Sequence, residues 1–298
     1  MFIEKINFLA EIKQIDFFFN KKIIYLKTIG GMTNINHLCE IDGEMVVVRI
    51  PGKHTEYLIN RRNEKINCEE VTKIKLNPKL FFYDERSGIK VTKYIEQSKT
   101  FNASDLCCEE NIEKISQVLK KLHNAKLDFI NYFNPFREYE RYKRSGEMNT
   151  SRYANFNVCE RKFFKIEDIL NKLGMDISPC HNDLVPENII ANSEGVFLID
   201  WEYSGYNDAY WDVAALIEEA KMSTVAESRL INYYCDDFTE IEKVKEKILL
   251  HKICQNFLWA AWTIVKEKEE NLFGDYGVKR YNRCQELITD YENNYNPI

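Results

Sequence analysis

The spacing of hydrophobic residues changes partway along the 298-residue chain. In the first part, short apolar runs rich in β-branched residues are separated by Gly, Asn and Pro, which is typical of strands joined by turns. Strands are predicted at residues 23–26, 37–41, 45–51, 78–84 and 88–95, and helices at residues 1–20 and 56–69. Further along, apolar residues recur at helical spacing and predict helices at residues 107–126, 163–173 and 213–221. The pattern predicts an α+β chain whose second part is mainly helical.

A polar stretch at residues 98–104 separates the two patterns. We therefore predict an N-terminal lobe at residues 1–96 and a C-terminal lobe at residues 97–298. The chain is long enough for two lobes, and 45% hydrophobic residues can supply a core for both.

Composition narrows the classes of function. The net charge of −6 argues against a broad nucleic-acid interface, which requires clustered Lys and Arg. The nine cysteines form no C-x-x-C motif and no zinc-ligand spacing, so we expect buried thiols in a reducing compartment. Glu4, Lys5 and Asn7 interrupt the first apolar positions, and no apolar run approaches the roughly 20 residues of a membrane helix. We expect a cytoplasmic protein that binds neither membranes nor nucleic acids.

The strongest chemical signal is the sequence HNDLVPEN at residues 181–188. An H-x-D motif followed five residues later by Asn has the spacing of a kinase catalytic loop. Two short apolar strands follow and predict a hairpin that brings Asn188 and Asp200 to the same end. Mg²⁺ prefers oxygen ligands, which these two residues can supply, and Asp183 is then available to accept a hydroxyl proton. The alternative is an ordinary polar loop with salt-bridged carboxylates. Such a loop would not require the H-x-D motif, the later Asn and the hairpin together.

Two features of the N-terminal part fit phosphate binding. The run GGMTN at residues 30–34 predicts a turn whose backbone could approach phosphates, although such a turn alone is a weak signal. Arg49 lies within a β-branched strand, where an unpaired charge would be costly. Glu64 is the best candidate for its acidic partner; the alternative is that Arg49 is a surface charge on an edge strand. The candidate residues of the turn are Gly30, Gly31, Thr33 and Asn34.

Two tryptophans suggest how a cation could be bound. Trp259 and Trp262 lie three residues apart, so on a helix they share one face. Ring faces attract a quaternary ammonium by about 2 kcal/mol when the cation is desolvated, and an acid such as Glu219 adds Coulombic attraction. The alternative is that both indoles belong to the hydrophobic core, which the spacing alone favours.

These motifs resemble a known family. HNDLVPENI at residues 181–189 and IDWEY at residues 199–203 are similar to the aminoglycoside phosphotransferase and choline kinase group, a branch of the protein-kinase-like fold. The resemblance implies a two-lobed fold, with a small N-lobe built on an antiparallel sheet and a larger, mainly helical C-lobe. It implies that Asp183, Asn188 and Asp200 are catalytic, and that Asn188 and Asp200 bind the metal.

The resemblance also implies ATP and Mg²⁺ as cofactors. The run at residues 30–34 resembles the loop that covers the nucleotide in this family, and Arg49 with Glu64 takes the place of the kinase Lys–Glu pair. The backbone at Tyr94 and Ile95 is expected to face the adenine ring.

Further motifs resemble choline kinases in particular. The run FLWAAWTIV at residues 257–265 is similar to the helix that supplies two walls of their choline pocket. The seven-residue interval from Asp212 to Glu219 is also shared. A third aromatic residue is expected after Phe273-Gly274, either Tyr276 or Tyr281. The implied substrate-binding residues are Asp183, Glu202, Glu219, Trp259, Trp262 and Tyr276. His123, in a family L-H motif, is expected to make structural hydrogen bonds and not to act in catalysis.

The sequence therefore predicts an ATP-dependent kinase that phosphorylates the hydroxyl of choline to give phosphocholine and ADP. Ethanolamine, thiamine and an aminoglycoside are alternative acceptors, although two tryptophans argue against the last. A different class of function is a catalytically silent nucleotide-binding regulator. The intact set of Asp183, Asn188 and Asp200 argues against it.

Overall fold

The computed structural model describes residues 2–30, 34–52, 58–145, 148–267 and 273–298, with side chains from residue 6 onward. The chain divides into two compact units, which we call the first unit and the second unit. The first unit consists of Met1–Phe101, Ala125–Ile130 and Glu187–Ser204, and the second of Asn102–Asn124, Asn131–Pro186 and Gly205–Ile298. The predicted lobe boundary after residue 96 stays a prediction.

The first unit is built on a five-stranded antiparallel sheet. In chain order its strands are β1 (Ile23–Thr28), β2 (Ile35–Ile41), β3 (Glu44–Ile50), β4 (Leu80–Tyr83) and β5 (Lys90–Lys93), and in space they are ordered β1-β2-β3-β5-β4. Two helices complete this part of the unit, α1 (Phe2–Ile12) and α2 (Arg61–Lys73). The alternating strands bury one set of side chains, including Cys39, Val48 and Val91, and Phe8 of α1 belongs to the same core. Arg49 therefore lies on a central strand, and its interpretation as an edge-strand surface charge is wrong.

A smaller sheet in the first unit carries the predicted hairpin. Its strands are β6 (Lys99–Thr100), β8 (Ile189–Asn192) and β9 (Gly195–Leu198), and β8 pairs with both neighbours. The register pairs Ile189 with Leu198. Just beyond that pair, the Ile199 N–H donates to the Asn188 carbonyl over 2.9 Å. The hairpin is confirmed, and it brings the backbones of residues 188 and 199 together.

The second unit is mainly helical, as the apolar spacing predicts. Its helices are α3 (Glu109–His123), α4 (Pro135–Arg144), α5 (Phe156–Leu173), α6 (Tyr210–Glu219), α7 (Thr224–Tyr234), α8 (Ile241–Glu267) and α9 (Tyr276–Asn294). A two-stranded sheet, β7 (Ile177–Cys180) with β10 (Gly205–Asp208), accompanies them. Nearly all side chains of α8 from Lys247 to Lys266 are buried, as expected for the central helix of a bundle. Phe257 of α8 packs 4.7 Å from Phe163 of α5, measured between ring centroids.

Several local predictions require correction. Helix α1 ends at Ile12, and a short 3₁₀ turn at Asp16–Phe18 follows it. Helix α2 begins at Arg61 because the Asn60 side chain caps it, accepting from the Asn63 N–H over 3.2 Å. Residues 53–57, where the predicted helix was to begin, lie outside the described residues. Cys107 and Cys108 are exposed, so burial is wrong for these two, although the other seven cysteines are buried thiols.

Among the described residues, no helix combines the length and the apolar character that crossing a membrane requires.

Helix α9 lies close to α8 at Gly277. A Cβ at this position would lie 2.6 Å from the Tyr153 hydroxyl and 2.8 Å from the Thr263 side chain. We expect Gly277→Ala to lower the free energy of unfolding by about 1–3 kcal/mol, because the packed helices must separate to accept the methyl group. Urea denaturation measures the change. The exposed Asn282→Ala on the same helix is the matched control and should change stability by less than about 0.5 kcal/mol. Equal stability of the two variants would contradict the close approach.

Candidate active site

The predicted catalytic loop begins in the second unit, where the carboxylate of Asp212 holds its first two residues. The carboxylate oxygens accept the backbone N–H of His181 over 2.7 Å and that of Asn182 over 2.8 Å. His123 Nε2 lies 3.2 Å from the same side chain. Burial alone would raise the pKa of Asp212, but the hydrogen bonds from His123 and the loop hold that pKa below its ordinary value. The buried carboxylate therefore stays ionised and fixes the two residues that precede Asp183.

Asn182 adopts a left-handed conformation in this loop, with φ of 66°. Asn tolerates this region better than most residues, and here both ends of its amide are used. Its Nδ2 donates to the Gly205 carbonyl over 3.2 Å, and its Oδ1 accepts from Asn207 over 2.9 Å. The indole N–H of Trp211 donates to the Asn182 carbonyl over 3.0 Å. Strand β10 and helix α6 thus fix the backbone turn that leads into Asp183.

His123 makes the structural hydrogen bonds expected of it. Its Nδ1 lies 2.7 Å from the Tyr234 hydroxyl, and its Nε2 faces Asp212. In the sequence, Asp212 is notable only for its seven-residue spacing from Glu219, and its role in holding the loop was not predicted. The available signal was an acid at the start of a helix shortly after the catalytic loop.

In the first unit, a cluster of buried charges surrounds Arg49. Its Nη1 lies 2.7 Å from Glu64 Oε1, and its Nη2 donates to Glu64 Oε2 over 2.8 Å. The same guanidinium lies 2.9 Å from Asp200 Oδ1. Glu64 also accepts from Lys90 over 2.9 Å and from the Tyr83 hydroxyl over 2.7 Å. The expected Arg49–Glu64 pair is present, and Lys90 is a second cation that sequence analysis missed.

Two more polar residues extend this cluster. Asn34 donates to Glu202 over 2.9 Å and lies 3.5 Å from Asp200. Burial and the neighbouring Asp200 carboxylate raise the pKa of Glu202 to about 8, although Arg49 lies 3.7 Å away. Glu202 was predicted to bind substrate, and the structure places it beside Asn34, Arg49 and Asp200. Its role stays a prediction.

The remaining nucleotide-binding candidates are only partly described. Gly30 has a φ of 49°, a left-handed conformation that suits glycine, and its carbonyl accepts from Asn36 over 3.4 Å. Gly31 and Thr33 lie outside the described residues. The Tyr94 N–H extends the sheet by donating to the Met45 carbonyl over 2.9 Å. The Ile95 carbonyl accepts from the Ser98 hydroxyl over 2.6 Å.

Candidate substrate residues of the second unit lie on α6, α8 and α9. Trp259 and Trp262 are 8% and 6% exposed, and the ring of Trp262 lies 5.1 Å from that of Phe273. Glu219, the last residue of α6, forms an ion pair with Arg280 of α9. The Arg280 guanidinium lies 5.7 Å from the centre of the Tyr276 ring. Arg280 therefore joins two predicted substrate residues, and it was missed because its partner is distant in sequence.

Tyr276 and Tyr281 occupy different environments. Burial raises the pKa of Tyr276 to about 12, and the carboxylates of Glu219 and Asp183 act in the same direction. Tyr281 is 1% exposed, and its hydroxyl donates to the Ala154 carbonyl over 2.6 Å. Tyr276 stays the predicted aromatic residue of the acceptor site, with Tyr281 as the alternative.

Comparison with known proteins identifies the family of the chain. The model of the choline/ethanolamine kinase family matches residues 26–234. Protein LicA of Haemophilus influenzae is 36% identical over 281 residues, covering 92% of this chain and 82% of that protein. The crystal structure of choline kinase LicA from Streptococcus pneumoniae matches with a TM-score of 0.84 and 35% identity, covering 98% of this chain and 100% of that chain. A structure of LicA in complex with AMP matches with the same score and identity, covering 95% and 98%.

The chain belongs to the choline/ethanolamine kinase family. This membership confirms the predicted protein-kinase-like fold, with its antiparallel sheet and mainly helical remainder.

The charge cluster around Arg49 makes stability depend on pH. Burial would raise the pKa of Glu64, but Arg49 and Lys90 lower it from 4.5 to about 2. The resulting stability is present above the ordinary pKa and is lost as the pH falls from about 4.5 toward 2. We expect Glu64→Gln to cost on the order of 3 kcal/mol of unfolding free energy at pH 7 and progressively less below pH 4.5.

Urea denaturation of both proteins between pH 7 and pH 3 measures this difference. The exposed Glu11→Gln is the matched control and should cost little at any pH. A cost for Glu64→Gln that does not change with pH would contradict the depressed pKa.

The Asp212 carboxylate has a similarly testable role. In Asp212→Asn the side chain keeps one acceptor oxygen, so one buried N–H of the catalytic loop loses its partner. We expect the free energy of unfolding to fall by about 1–3 kcal/mol and kinase turnover to fall with it. Denaturation and turnover are compared with the exposed Asp168→Asn on α5. If the two variants were equally stable, Asp212 would not be holding the loop.

Proposed function

We propose that this chain is an ATP-dependent kinase that transfers phosphate to the hydroxyl of choline, giving phosphocholine and ADP. The observation that carries the proposal is the arrangement around Asp183. Asp212 holds the backbone just before it, accepting the N–H of His181 over 2.7 Å and that of Asn182 over 2.8 Å. The similarity to the choline kinase LicA over nearly the whole chain supports the same reaction. A cytoplasmic location stays a prediction.

The first unit supplies groups suited to the nucleotide and its metal ion. Three carboxylates meet in the described charge cluster, those of Glu64, Asp200 and Glu202, against the two cations Arg49 and Lys90. Burial and the neighbouring Asp200 raise the pKa of Glu202 to about 8, so this carboxyl is mostly protonated at neutral pH, and a nearby divalent cation would favour its ionised form. A divalent cation takes oxygen ligands, and Asn188 and Asp200 would hold Mg²⁺. When bound, Mg²⁺ neutralises charge on the phosphates.

Each remaining residue then has a separate task in the proposed reaction. Arg49, oriented by Glu64, would contact the phosphates, and the turn at Gly30 would cover them. The backbone near Tyr94 and Ile95 would face adenine. Asp183 orients the choline hydroxyl and accepts its proton as the oxygen attacks the terminal phosphorus.

The second unit supplies groups suited to the acceptor. Trp259, Trp262 and Tyr276 offer ring faces, which attract a trimethylammonium group that cannot donate hydrogen bonds. Glu219 contributes negative charge near Tyr276. The second candidate acceptor is ethanolamine, which the family description includes. Its primary ammonium would favour the carboxylate of Glu219 over ring faces.

Two variants test the proposal. Asp183→Asn removes the proton acceptor, so we expect choline-dependent kcat to fall by about 10²–10⁴ with the fold intact. Trp262→Ala removes a ring face, so we expect mainly a rise in the KM for choline of about tenfold. Steady-state ATP consumption with Mg²⁺ measures both constants, and circular dichroism checks the fold. The exposed Tyr132→Ala serves as the control for loss of an aromatic residue. An unchanged KM in Trp262→Ala would contradict the pocket, and an active Asp183→Asn would contradict the catalytic role.

A further inference from the structure

The candidate acceptor site contains a cation of its own. Arg280, in the first turns of α9, is 8% exposed. Its guanidinium pairs with Glu219 and lies over the ring of Tyr276. Two residues predicted to attract the ammonium group of the substrate are therefore already in contact with a cation from the protein.

This guanidinium is charged and largely buried. Burial disfavours its charged form, but Glu219 and Tyr276 act against that effect and raise the pKa of Arg280 above its ordinary value. The charge of Glu219 is therefore compensated before any ligand arrives. The attraction that Glu219 alone would exert on a substrate cation is correspondingly reduced.

A second ion pair fixes the same helix ends. Glu218 accepts from Arg283 Nε over 2.9 Å and from Asn256 Nδ2 over 3.2 Å. Arg280 and Arg283 lie three residues apart on α9, so they face the last two residues of α6 from one side. Helix α6 is thus tied to α9 by two adjacent pairs. Glu219 could turn toward a ligand only by leaving Arg280 buried without its anion, which is costly.

Primary and quaternary ammonium groups respond differently to a compensated carboxylate. A primary ammonium has three N–H donors, and in a desolvated site it requires acceptors such as Glu219. A trimethylammonium group has no donor and binds through ring faces and close packing. Pairing Glu219 with Arg280 removes the acceptor that a primary ammonium requires, and it leaves the aromatic side chains in place.

We propose that Arg280 is a specificity-determining residue, which favours quaternary over primary amino alcohols by occupying Glu219 and supporting Tyr276. This inference rests on the proposed function, in which the acceptor is choline. Arg280 does not touch the reacting atoms in this role. It sets the charge and the hydrogen-bonding capacity of the side chains that surround the ammonium group.

Arg280→Met tests this role directly, because it removes the charge and keeps an unbranched apolar side chain. The readout is the ratio of kcat/KM for ethanolamine to kcat/KM for choline. We expect the ratio to rise by about tenfold in Arg280→Met, since the freed Glu219 can accept from a primary ammonium. Arg280→Lys retains a cation for Glu219 and should keep the ratio near that of the wild type. Arg283→Met, which breaks the pairs with Glu218 and Glu286 but not the Arg280–Glu219 pair, is the matched control and should leave the ratio unchanged.

Glu219→Gln provides an independent test if Arg280→Met does not fold. If Arg280 already occupies Glu219, this change lowers kcat/KM for ethanolamine and for choline to a similar extent. The ratio of the two then stays within about threefold of the wild type. A selective loss of ethanolamine turnover would show that Glu219 binds the ammonium directly and would overturn the inference, as would an unchanged ratio in Arg280→Met.

A wild-type protein that phosphorylates neither alcohol would overturn the proposed function itself. Wild-type turnover of choline with an unchanged ratio in Arg280→Met would overturn only the role of Arg280.

Discussion

The buried contact of Arg49 with Glu64 and Asp200 is the interaction on which the first unit depends. A guanidinium on a central strand is tolerated only if anions meet it, and here they come from α2 and from the residue that follows the β8–β9 hairpin. One side chain thus joins three elements that are distant in sequence. Glu202 adds a third carboxyl beside this contact, and burial and Asp200 raise its pKa to about 8. The same contact that orders the unit leaves it suited to a divalent cation.

In the second unit, buried carboxylates also have partners within the protein, but they serve different functions. Asp212 is hydrogen-bonded by His123 and by two backbone N–H groups, and it holds the loop that leads into Asp183. Arg280 compensates Glu219 at the acceptor site, where it reduces the attraction available to a primary ammonium. The buried carboxylate of Asp212 therefore supports the loop, whereas the paired carboxylate of Glu219 affects which ammonium group is bound. The partner of each carboxylate within the protein determines its role.

Local patterns in the sequence predicted much of the fold. The apolar spacing of α3 and the hairpin between Asn188 and Asp200 are set by neighbouring residues, and both are present. The Arg49–Glu64 pair could be anticipated because a charge within a strand must find a partner. The pairing of Glu219 with Arg280 could not, because nothing in either segment indicates that the end of α6 meets α9. Strand β10 was missed for a similar reason, since its short polar sequence pairs with β7 and with the segment at Tyr132, which are both distant in sequence.

The most direct test of choline kinase activity is Mg²⁺-dependent ATP consumption by the purified protein with choline, ethanolamine, thiamine and kanamycin as separate acceptors. Mass spectrometry would identify the phosphorylated product in each reaction. An acceptor site lined by ring faces, with its carboxylate already paired, predicts the highest kcat/KM for choline and phosphocholine as the product. Turnover of another acceptor alone would contradict the assignment of the acceptor site, and the absence of turnover with all four would contradict the proposed reaction.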